Sequence, residues 1–164
     1  MSQEKTKRMD TMIRQEDFLN NLFSLLDETF DNTHGHFLDK DTSLFRTLET
    51  VSAQEASIPV GGKCASLAAQ VAHVTFYMEV LERIVVYNDT SHVDWDEIWR
   101  TVEKVTPEEW EEYKRKLKDT YQRIEKMFRG NPVWNEDSIG GSMAILVHTA
   151  YHLGEIRQAL CTLK

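Results

Sequence analysis

Six histidines occur in the chain, and three of them stand where imidazoles can bind a metal. His148 and His152 lie four residues apart in AILVHTAYHLGEIRQAL, so on a helix they project from one face, one turn apart. Two imidazoles at that spacing can hold one ion. Their neighbours Ala144, Ile145, Val147, Ala150, Leu153 and Ile156 are apolar, and a polar pair in such surroundings needs a partner. His73 sits in LAAQVAHVTFYMEVLERI, on a face shared with Ala69, Phe76, Val80 and Ile84. Three nitrogens from two helices would make a facial ligand set with open positions. Such a set suits zinc, nickel or iron, with water or substrate completing the coordination. Hydrogen-bonded core histidines with no ion are the plainer alternative, and spacing leaves both open. HTAYH lacks the glutamate of H-E-x-x-H, so the zincin motif does not apply.

His34 and His36 form an H-x-H pair around Gly35 in a loop. They read as ordinary loop polarity, with a second metal site or the mouth of a cavity as the functional alternative. His92, beside Asp94 and Asp96, reads as surface.

Helices must position these residues. The spacing predicts a first helix from Lys7 to Phe30, with Met12, Leu19, Leu22, Phe23, Leu26 and Phe30 on one stripe. Asp31 to Gly35 breaks it. A short helix from Ser43 to Val51 follows, and Ser52 with Glu55 has capping-box spacing. The second long helix covers Ser66 to Tyr87. The third opens on Thr106, Pro107 and Glu109, carries Trp110, Tyr113, Leu117, Tyr121, Ile124 and Phe128 inward, and stops at Gly130-Asn131-Pro132. Its Glu111–Arg115 and Glu112–Lys116 pairs read as solvated i, i+4 contacts. The fourth begins between Ser138 and Ser142 and runs almost to Lys164. Four long helices with a small helical insertion after the first predict an all-α, four-helix bundle in a single domain, 1–164. The link from Asn88 to Thr106 can span roughly 60 Å when extended, whereas antiparallel neighbours need only about 2 to 8 residues. It therefore predicts a crossover between two parallel helices.

Composition narrows the class of partner. With 27 acidic against 19 basic side chains and a net charge of −8, the surface repels phosphate backbones and anionic lipid. Neither nucleic acid nor membrane is an expected partner. Two cysteines, Cys64 and Cys161, do not make a disulfide framework, and MSQEKTKRMD has no apolar h-region, so a cytoplasmic location is expected. Cys64 is expected to be a buried, inert thiol.

The run VHTAYHLGEIRQAL resembles the fourth-helix signature of the DinB/YfiT-like metalloenzymes (not the DNA polymerase sharing the DinB name). That signature is H-x-x-x-H followed by Gly, Glu or Gln, Ile and Arg, here His148, His152, Gly154, Glu155, Ile156 and Arg157. The family's remaining histidine comes from a second-helix segment like L-x-H-x-x-x-Y/W. His73 with Tyr77 four residues on is similar to it. The resemblance spans the helical plan over most of the chain and all three ligand positions. It implies a bundle of unusual connectivity, a His73, His148 and His152 metal site, and a homodimer. The segment from about Asn32 to Gly62 departs from the shortest members.

The resemblance also implies a use for the site. Relatives include transferases and isomerases that use a low-molecular-weight thiol, such as bacillithiol, mycothiol or glutathione. The metal would lower the pKa of that thiol, whose thiolate attacks an electrophilic substrate. Each histidine should then have a partner on its other ring nitrogen. A hydrolase using metal-bound water is a second possibility and would need a general base; Glu155 and Glu79 are candidates, though both read first as surface or helix-pairing carboxylates. A non-catalytic, stress-associated metal-binding protein is a third. Tyr77 and Tyr151 read as packing residues, and Arg157 as the partner of a glutamate on a neighbouring helix.

Overall fold

The structure, a computed structural model, describes residues 13–62 and 64–163. Among these residues every regular element is a helix, so the chain is all-α. α1 spans Gln15–Phe30, with Leu22, Phe23, Leu26 and Phe30 buried on the predicted stripe. The predicted start, Lys7 to Met12, lies outside the described residues. Ile13 and Arg14 are not helical, so the helix begins later than the apolar spacing suggested. Arg14 pairs with Asp17 in the first turn, where acidic side chains complement the free N–H groups.

Glu28 organises the segment after α1. It is fully buried, and its two carboxylate oxygens accept the backbone N–H groups of His34, His36, Phe37 and Leu38 at 2.7–3.1 Å. Burial opposes its ionisation, but the four donors together hold its pKa at about 2. α2 (Leu44–Glu49) and α3 (Ala53–Ala56) make the insertion, and Ser52 and Glu55 form the expected capping box. The Trp110 indole N–H donates to the Val51 carbonyl at 2.7 Å and ties the insertion to a later helix. A tight turn, Val60–Gly62, follows; Gly61 and Gly62 take φ values of 60° and 75° that favour glycine.

α4 (Leu67–Tyr87) starts at Ser66, whose hydroxyl accepts from the Ala69 N–H, and ends at Asn88 in the left-handed region. The link that follows contains a helix that periodicity did not reveal, α5 (Glu97–Thr101). α6 (Pro107–Arg129) carries the Thr106/Glu109 capping box and the proline at its start. α7 (Glu136–Leu163) begins earlier than expected because the Asn135 side chain accepts the Ser138 N–H, capping the helix two residues upstream of the predicted start.

Contacts fix the directions of the four long helices. Lys116 pairs with Glu79 and Arg123 with Glu82, so positions in α4 and α6 advance together and the two helices run parallel. Lys116 therefore reaches across to α4 instead of pairing with Glu112, and Arg115 pairs with Glu112 and Asp119 instead of Glu111. Gln70 meets His152, and Gly141 lies against Val85, so α4 and α7 run antiparallel. A Cβ on Gly141 would stand 2.8 Å from the Val85 side chain, so glycine permits this close approach. Phe30 stacks on Tyr121 at 4.0 Å and Arg129 lies over Phe23, which sets α1 antiparallel to α6. Among the described residues no single helix is long and apolar enough to cross a membrane.

Candidate metal centre

The antiparallel crossing of α4 and α7 brings His73, His148 and His152 together, with one ligand atom from each lying within 4.8 Å of the others. His73 and His152 are buried and His148 is half-buried. The Nε2 atoms of His73 and His148 approach to 3.1 Å. That matches the separation of about 3.0–3.4 Å expected for two nitrogens about 2.0–2.1 Å from one ion. Burial holds all three imidazoles in the neutral form that metals bind. It pushes His73 down to about 4 and His148 to about 3, helped by the neighbouring histidines. Burial also lowers His152, against the opposing pull of Glu155. The donor set fits a divalent transition metal.

The three rings are held in two ways. His152 Nδ1 lies 2.5 Å from Gln70 Oε1 and 2.9 Å from Glu155 Oε2. His148 instead stacks on Tyr77, with ring centres 3.6 Å apart and planes 10° from parallel. His73 packs on Trp99 at 4.3 Å. The Nδ1 atoms of His73 and His148 are buried without hydrogen-bond partners among the described residues, so the expectation of a polar partner for every ring holds for His152 alone.

His152 also lines a cleft of about 810 Å³, together with Gln70, Trp99, Tyr151 and Glu155. The cluster therefore opens to ligand-sized space at one ring. Cys64 lines the same cleft and is exposed, so it is not the buried thiol expected from the sequence. Tyr151 is exposed and hydrogen-bonds Glu155, which raises its pKa. Both residues thus belong to the cleft as well as to the fold. Glu79, by contrast, is the structural carboxylate of the Lys116 pair. Arg157 makes no ion pair with a described residue, against the expected pairing with a neighbouring glutamate.

His34 and His36 do not join the cluster. His34 donates to Asp27 at 2.6 Å, His36 is hydrogen-bonded to Ser24 at 2.9 Å, and both are exposed. His92 is exposed. Two site residues escaped the sequence reading. Gln70 precedes His73 by three positions and so shares its helix face, a usable signal. Trp99 arrives on α5, inside a link read only for its length. No family model, curated protein or solved structure matches the chain.

Proposed function

We propose that the chain is a metal-dependent protein of the DinB-like class, a four-helix bundle of α1, α4, α6 and α7. In it the long α4–α6 link is a crossover and α2 and α3 are the insertion. His73, His148 and His152 would hold a divalent transition metal (zinc, nickel or iron), and the protein would transfer a low-molecular-weight thiol to an electrophilic small molecule. The carrying observation is the convergence of three neutral imidazoles beside a cleft that reaches one of them. When bound, the ion would lower the pKa of the thiol and favour its thiolate at neutral pH. The chain's own residues do the rest. The imidazoles supply lone pairs without adding negative charge, which leaves the site cationic and suited to an anionic sulfur. Trp99 and Tyr77 shield two rings from water, and the cleft has the volume of a small-molecule site. The match of VHTAYHLGEIRQAL and the His73 segment to one family's signature supports the same assignment.

A screen of thiols with an electrophilic acceptor, in the presence of zinc, nickel or manganese, tests the proposal. Turnover that needs both thiol and metal is expected. No turnover with any thiol would move the weight to hydrolysis or to metal binding without catalysis. One observation favours the hydrolytic alternative: Glu155 stands in the cleft beside His152, where a general base would be needed.

A homodimer belongs to the same proposal. From Gly140 onward, the exposed residues of α7 are Gly140, Met143, Val147, Tyr151, Gly154, Gln158, Cys161 and Thr162, none of them charged. In a chain of net charge −8, this face is where two copies would meet with least repulsion. A cytoplasmic location completes the proposal.

A further inference from the structure

Of the three histidines, His152 is the one that opens on the cleft, and the one whose second nitrogen is hydrogen-bonded. Its Nδ1 faces two acceptors from different helices, Gln70 Oε1 on α4 at 2.5 Å and Glu155 Oε2 on α7 at 2.9 Å. A carboxylate oxygen and an amide oxygen only accept, so the shared proton must sit on Nδ1, and the lone pair must sit on Nε2. We propose that Gln70 and Glu155 are a positioning pair that fixes His152 as the Nδ1–H tautomer and aims its Nε2 at the metal centre. The inference rests on the metal reading for its purpose, but the tautomer is a property of the chain alone.

Physical differences among the three sites explain why only this ring needs such a pair. His73 and His148 are clamped on their faces by Trp99 and Tyr77, which restrict ring rotation without choosing a proton position. His152 meets Tyr151 and Trp99 at 5.0 and 6.3 Å, too far for a comparable clamp, and it borders open space. Left to itself, its ring could turn toward the cleft or place its proton on Nε2, and either change would remove a ligand. Glu155 is three residues from His152 on the same helix, so its reach is set by local geometry. Gln70 comes from the facing helix, so the pair also reports the α4–α7 register. Tyr151 also hydrogen-bonds Glu155.

Nitrogen-15 NMR of histidine-labelled, metal-free protein reads the tautomer directly. The expected result is Nδ1–H with an unprotonated Nε2 at His152. In the Gln70→Ala/Glu155→Ala double variant the proton should move to Nε2 and the ring signal broaden. In Glu155→Gln, whose amide oxygen still accepts, the native tautomer should persist. Zinc affinity measured by chelator competition should fall roughly 10- to 100-fold in the double variant and recover in Glu155→Gln. Circular dichroism confirms that each variant remains helical; should the double variant unfold, Gln70→Leu/Glu155→Leu, which keeps side-chain volume but neither acceptor, carries the same two readouts. An Nε2–H tautomer in the native protein, or unchanged zinc affinity in a folded variant lacking both acceptors, would overturn the inference. A native Nδ1–H tautomer in a protein that binds no zinc would sink the metal reading while leaving the positioning pair intact.

Discussion

A histidine on an apolar helix face is ambiguous until its neighbours are known, and His148 shows what resolves it. Its ring lies flat on Tyr77, its Nε2 is 3.1 Å from that of His73, and burial keeps it neutral. A core histidine serving only structure would satisfy both nitrogens, yet Nδ1 of His148 and of His73 has no partner among the described residues. Replacing His148 with alanine should therefore abolish stoichiometric metal binding while preserving helical content. The loss of a half-buried ring costs about 1–3 kcal/mol, within the range a folded domain tolerates. Metal analysis of the purified variant checks this, and undiminished stoichiometry would refute the three-histidine site. The i, i+4 spacing made the His148–His152 half of the cluster legible in the sequence. The second half was legible only as a histidine on a core-like face, because distance along the chain says nothing about which helices cross. Trp99 was invisible for the same reason, and Gln70, although it shares the His73 face, has a role only once α4 and α7 are in contact.

Capping chemistry is local, and so the starts at Ser52, Ser66 and Thr106 could be read from the residues themselves. Failures at this scale have local causes too. The Asn135 cap was overlooked beside the more conspicuous serines, and α5 is too short to show a period. The loop after α1 has another organiser, a carboxylate six to ten residues before the amides it binds. Glu28 reads as one more charge on an acidic chain, yet it is fully buried and accepts four backbone hydrogen bonds. Glu28→Gln would place an NH2 group against those donors and should destabilise the protein by about 2–4 kcal/mol. For a chain of this size that is a fall in Tm of about 5–12 °C. The pH dependence has a definite sign. Its folded pKa of about 2 lies below the ordinary 4.5, so the unfolded chain takes up this proton first. The contribution is complete above pH 4.5 and is lost as pH falls toward 2. Denaturant titrations across that window should show a shallower acid slope for Glu28→Gln than for the native chain; equal slopes would mean that Glu28 is not held ionised.

Over the whole molecule, charge is plentiful but unevenly spread. The sequence carries 46 charged side chains, 27 acidic and 19 basic, while the most exposed positions of α7 from Gly140 to Thr162 carry none, Glu155 and Arg157 being half-buried beside them. Met143 is 47% exposed, Val147 65% and Tyr151 62%, at successive four-residue steps along one helix. A single exposed apolar residue needs no explanation, but a continuous uncharged stripe over most of a helix does. Two copies joined along it would be related by a twofold axis, each covering the same residues of the other. Because Tyr151 lines the cleft as well as this stripe, a second copy would lie beside the mouth of the metal centre and narrow the access to it. Met143 is the position to test, being on the stripe but five residues from the nearest histidine. In Met143→Glu, dimerisation would bury a like-charged pair of carboxylates against apolar surface and should weaken association roughly 100-fold or more. Sedimentation equilibrium should give the native chain twice its 19.1 kDa mass and the variant a single copy, with metal content equal in the two. A native chain that remains monomeric at high concentration, or a variant that dimerises as well as the native, would place the stripe outside any interface between copies.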